Sequence, residues 1–119
     1  MKFNFPIFSR LTERAYRNFE HCRYSLDDVL SVFRYYFQEY EGIFEKAHPN
    51  IRLEQIESLI DAMPSIDVNG CEAEVSPEDY EILIDQHFNT EYRNCDFNIN
   101  HFFSGDIRLN RFYEVLYAR

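Results

Sequence analysis

His87, Cys95, Asp96 and His101 form the one group in this chain with the donor chemistry of a metal site. A zinc ion needs four nitrogen, sulfur or oxygen ligands converging at about 2 Å. The spacing here matches no zinc motif. His87 falls on the apolar side of an expected helix, and His101 precedes Phe102 and Phe103, so a core or boundary histidine is the expected role for each. Cys95 with either histidine is also the pairing of a thiol nucleophile with a base. Ser104-Gly105-Asp106 lacks the G-x-S-x-G context of a nucleophile turn. It reads as the end of one helix and the start of another.

A second constellation is Ser65-Ile66-Asp67-Val68-Asn69-Gly70, similar to the first half of a calcium-binding helix-loop-helix. Such a loop needs oxygen ligands at alternate positions, a glycine for the sharp turn and a bidentate acid at its end. Asp67, Asn69 and Gly70 match the middle of that pattern. The first ligand position falls on Ser65 and the closing acid's position on Ser76, so an acidic loop before a capped helix is the expected reading. No cofactor is expected.

The largest chemical signal is charge. Residues 53–92 hold eleven carboxylates and no lysine or arginine. The acids are Glu54, Glu57, Asp61, Asp67, Glu72, Glu74, Glu78, Asp79, Glu81, Asp85 and Glu91. Glu72, Glu74, Glu78, Asp79, Glu81 and Asp85 are the expected partner-binding set. The net charge is −9, while both ends of the chain carry an excess of base, through Lys2, Arg10, Arg14, Arg17 and Arg23 at the start and Arg93, Arg108, Arg111 and Arg119 at the end. Such asymmetry fits a basic partner, or pairing between copies. The plainer alternative is a solvated face that aids solubility. The arginines of the first and last helices, with Tyr113 and Tyr117, have the residue types of nucleic-acid contact. Phosphate binding works through an excess of positive field, however, and this chain is strongly negative. Direct nucleic-acid binding is therefore not expected.

These residues need a frame. At 119 residues the chain is long enough for one domain with one core. Aromatic residues make up 18%, without tryptophan, so rings must supply much of the buried area. Cys22, Cys71 and Cys95 fit neither a disulfide framework nor a metal knuckle, and reduced thiols in a cytoplasmic protein are expected. Neither a signal peptide nor a membrane span is expected.

The periodicity predicts a mainly α-helical single domain, residues 1–119, of about five helices, with room for one short strand pair. Leu11, Ala15 and Phe19 give a stripe for a first helix over 10–21. Ser25 caps a second through about residue 46, with Leu26, Val29, Leu30, Phe33, Phe37, Tyr40 and Phe44 inward. Tyr35, Tyr36 and Tyr40 are too many for one narrow stripe, which leaves tyrosine surface at a groove or interface. His48-Pro49-Asn50 stops this helix, and Asn50 caps a third over 52–63. A short strand is expected at Glu72–Val75. Ser76 and Pro77 open a helix over 77–88. A helical turn follows at Asn100–Ser104, then a last helix capped by Asp106, with Leu109, Phe112, Tyr113 and Leu116 inward.

The stretch His101-Phe102-Phe103-Ser104-Gly105-Asp106-Ile107-Arg108, with Arg111-Phe112-Tyr113-Glu114, resembles the C-terminal part of small bacterial immunity proteins of the contact-dependent growth inhibition type. The resemblance implies a cytoplasmic toxin neutraliser and assigns no residue a role. The expected function is a non-enzymatic protein-binding module with an acidic face, in its sharpest form an immunity protein or inhibitor (an antitoxin) for a nucleic-acid-cleaving toxin. The alternatives are a self-associating structural protein and a calcium- or zinc-binding regulator. An enzyme is the least supported reading.

Overall fold

A computed structural model describes residues 1–19, 24–63, 66–68, 71–73, 75–93 and 95–103, with backbone alone for 66–68 and 71–73. The element order is α1 (Phe5–Tyr16), α2 (Leu26–Phe44), α3 (Leu53–Ala62), β1 (Ile66–Val68), β2 (Cys71–Ala73), α4 (Pro77–Phe88) and α5 (Ile99–Phe102). The domain is mainly helical, as the periodicity predicts. Among the described residues no helix is long and apolar enough to cross a membrane.

Two starts follow their local signals. At α2, Ser25 Oγ accepts from the Asp28 N–H at 3.1 Å, with Asp27 and Asp28 in the favourable first turn. At α4, Ser76 Oγ accepts from the Asp79 N–H while the Asp79 carboxylate accepts from the Ser76 N–H, and Pro77 stands at the first helical position.

Three bounds differ from expectation. Helix α1 spans 5–16 rather than 10–21, because Asn4 Oδ1 caps it through the Ile7 N–H and Pro6 fits the first turn, where no amide donor is needed. Phe19 packs on the core from beyond its end. Helix α2 stops at Phe44, ahead of Pro49, since Glu45 turns left-handed at φ 57°. Asn50 does not cap α3. The N-cap is Arg52, which offers no acceptor; the Gln55 side chain accepts from the Arg52 N–H at 3.0 Å.

The expected strand is β2, which starts one residue and ends two residues earlier than predicted. It pairs antiparallel with β1, with Asp67 opposite Glu72. The expected last helix, Ser104-Gly105-Asp106, Arg108, Arg111, Arg119 and Cys22 lie outside the described residues.

The core is built around α2. Helix α1 packs on α2 and on α3, while α4 packs on α2. Phe8 of α1 meets Phe33 and Phe37, whereas Tyr36 faces His87 and Phe88 of α4, so α1 and α4 pack on different residues of α2. Tyr36 and Tyr40 are buried and Tyr35 is half-exposed, as the crowded stripe requires. Tyrosine hydroxyls buried here bond to loop carbonyls: Tyr24 to Val75 at 2.5 Å, Tyr36 to Phe97 at 2.6 Å and Tyr80 to Met63 at 2.9 Å. Each ring thus adds apolar area while its polar tip is satisfied.

Candidate functional site

Helix α4 places Glu78, Glu81 and Asp85 at i, i+3 and i+7, the spacing of one helical face, and all three are exposed. The inward face holds Tyr80, Leu83, Ile84 and His87, all buried. Because α4 packs on α2, its acids gain a neighbour that the sequence gives little reason to place there. Tyr35 donates from its hydroxyl to Asp85 Oδ1 at 2.6 Å, across 50 residues of chain. Burial, that bond, and the nearby Glu39, Asp85 and Glu81 all push the Tyr35 phenol upward. Partial burial, then the charge of Asp85, raises the Glu39 carboxyl. Glu39, Glu81 and Asp85 therefore form one field around Tyr35. No ion pair joins any of these acids, or Glu78, to a lysine or arginine among the described residues.

The rest of the expected partner-binding set is dispersed. Asp79 spends its carboxylate on the α4 cap. Glu72 lies in β2, and Glu74 lies outside the described residues. Sequence reasoning places tyrosine surface in the Tyr35, Tyr36 and Tyr40 group but misses Glu39 and the pairing of Tyr35 with Asp85. A faint signal was available, since Tyr35 and Glu39 stand four apart on α2, one turn of helix.

The histidine–cysteine group separates into two contacts. Cys95 Sγ sits 2.8 Å from His101 Nδ1 and accepts from the Phe97 N–H at 3.3 Å. His87 is buried and its Nδ1 lies 2.9 Å from the Tyr92 hydroxyl. Its ring centroid is 5.7 Å from that of His101, a packing contact between rings. Asp96 accepts from the Asn98 N–H and so closes a turn. Among the described residues no three histidine, cysteine, aspartate or glutamate side chains converge as a metal set. A nucleophile and base also need an orienting partner for the base and donors for developing charge. Among the described residues His101 has no hydrogen-bonded carboxylate, and the geometry stops at a thiol beside an imidazole.

His48 is the histidine that the sequence undersold. It is buried among Phe3, Tyr36, Phe37 and Tyr40. Its Nε2 accepts from the Ile99 N–H at 3.0 Å, so Nδ1 carries the proton and donates to the Pro49 carbonyl at 2.8 Å. Burial lowers its pKa, against smaller opposing effects from the Pro49 carbonyl and Asp96. The ring is a neutral clamp between the α2–α3 connection and α5.

No protein-family model, curated protein or solved structure matches the chain.

Proposed function

We propose that this is a non-enzymatic binding protein whose α4 face, Glu78, Glu81 and Asp85 with Glu39 of α2, docks on a basic protein surface. The observation that carries the reading is a row of exposed carboxylates along one helix face without internal ion pairs among the described residues. Clustered like charges raise the local potential and speed the approach of an oppositely charged partner, in a manner that salt weakens. They also add self-repulsion that a partner's cations relieve.

Nucleic-acid-cleaving proteins carry basic clefts for phosphate. An acidic helix face of this kind can fill such a cleft or lie beside it and block access. The sharpest form of the reading is an inhibitor or immunity protein for such a toxin, in keeping with the resemblance of residues 101–114.

The test is capture from the native host's lysate on immobilised protein, eluted by a salt gradient, with wild type and Glu78→Lys/Glu81→Lys/Asp85→Lys side by side. A basic protein retained by wild type, lost by the variant, and inhibited in nucleic-acid cleavage by added wild type is the expected result. Equal retention by a folded variant would overturn the docking face. A captured partner without nuclease activity would overturn the toxin reading.

A further inference from the structure

Helix α1, which also packs on α2, carries the counterpart of the α4 face. On α1, Ile7, Arg10, Leu11 and Arg14 stand at i, i+3, i+4 and i+7; on α4, Glu78, Glu81, Ile82 and Asp85 stand at the same spacing. Ile7 is 52% exposed and Ile82 is 38% exposed, so each charged stripe carries an apolar residue open to solvent. Ile7 and Leu11 also line a surface groove of about 290 Å³ with Phe3, Phe8 and Ile51, and with Asn4 and Asn50. Arg10 and Arg14 have no ion-pair partner among the described residues; the one pair on α1 is Arg17 with Glu13 at 3.0 Å. Within one copy no ion pair joins the two stripes among the described residues, and α1 and α4 each pack on α2.

We propose that a second copy of this chain docks its α4 stripe on the α1 stripe, with Ile82 entering the groove beside Ile7 and Leu11 and the acids meeting Arg10 and Arg14. This rests on the same α4 face as the proposed function, and makes self-association a competitor of the partner. The two surfaces are different, so the contact is heterologous and repeats, as an open chain or a closed ring. Its strength depends on salt, because the Debye length falls from about 30 Å at 0.01 M to about 3 Å at 1 M.

The experiment is sedimentation velocity over a wide protein concentration range, in about 10 mM and about 1 M salt. The expected result for wild type is a mass that rises with concentration in low salt and returns to monomer in high salt. Arg10→Glu/Arg14→Glu and Glu81→Lys/Asp85→Lys each leave two like-charged stripes, so each alone stays monomeric. Mixing them brings opposite stripes together again and restores association, which misfolded variants could not do. Wild type that remains monomeric in low salt, or variants that associate as wild type does, would overturn the proposal. The partner assay separates the two readings. The α1 variant loses self-association and keeps the basic partner, whereas the α4 variant loses both. A monomeric wild type that still captures the partner sinks this inference alone.

Discussion

Helices α3 and α4 carry the same acids at the same spacing and pack on different helices. Glu54, Glu57 and Asp61 repeat along α3 as Glu78, Glu81 and Asp85 do along α4. Helix α3 lies against α1, which bears Arg10 and Arg14 and ends at the C-cap Arg17. Helix α4 lies against α2, which adds Glu39 and the Tyr35 hydroxyl. The long acidic run is therefore two surfaces, one on a helix packed against the arginine-bearing α1 and one reinforced by a further acid of α2. What a stripe of charge can do is set by the neighbouring helix as much as by its own residues.

The two helices are also placed by different means. Helix α4 has a reciprocal cap and a first-turn proline, all local. Helix α3 has an arginine at its N-cap, and its approach is held from elsewhere, by His48 and by Ile51, which is buried at the start of the helix.

Removing the shared requirement, burial, has the largest effect. Leu59→Ala on α3 and Ile84→Ala on α4 should each cost about 2–5 kcal/mol, since both side chains are buried and leave a cavity. Urea unfolding checks this, and a cost under about 1 kcal/mol at either site would mean that helix does not share the core. Next comes charge. Glu78→Lys/Glu81→Lys/Asp85→Lys should weaken partner binding at least about 100-fold, or about 2.7 kcal/mol, while Glu54→Lys/Glu57→Lys/Asp61→Lys changes it less than about threefold. Calorimetric titration decides, and equal losses would erase the distinction between the helices.

Caps sharpen the contrast further. Ser76→Ala should destabilise by about 1 kcal/mol. Arg52→Ser should stabilise by about 0.5–1 kcal/mol by supplying the acceptor that α3 lacks. Thermal unfolding reads both, and a loss at Arg52→Ser would show that the arginine acts through its length rather than its position.

The smallest expected signal is pH dependence near neutrality, carried by His48 on the α3 side. Burial puts its folded pKa below the ordinary value of 6.5. As pH falls through about 6.5 the unfolded chain takes up a proton that the folded ring resists, so stability should decline on acidification and be fully present above that range. The Tm of wild type should drop between about pH 7.5 and pH 5.5. In His48→Gln the Tm is lower throughout, with a shallower slope; an unchanged slope would place the titrating group elsewhere.

Much of this frame was legible where the signal was local. Ser25 and Ser76 carry their own caps, and the apolar stripes of α2 and α4 follow the 3.6-residue period, so those starts and inward faces match. The start of α1 was missed because Asn4 and Pro6 precede the apolar stripe that marked the helix. Asn50 outranked Arg52 as a cap on residue type, yet tertiary contacts at His48 and Ile51 set where α3 begins. The pairing of helices was not legible at all. Nothing in the period of α4 says that Tyr35 will meet Asp85, because that contact depends on which flank of α2 each helix takes. His48 read as part of a helix stop, since a buried neutral imidazole is defined by the rings around it.

The order of packing also bears on how the chain reaches its fold. Helix α1 seeks α3 and α2 seeks α4, so much of the packing waits for elements two places along the sequence. The Tyr24–Val75 and His48–Ile99 hydrogen bonds each close a span of 51 residues. A bundle of sequential neighbours collapses through short loops, whereas long spans slow the search. During synthesis, Phe33 and Phe37 follow Phe8, their partner on α1, whereas Tyr36 leaves the ribosome well before α4 and α5 arrive to cover it. The nascent chain thus passes through a stage in which the Tyr36 side of α2 is bare, until the second half of the polypeptide follows the first.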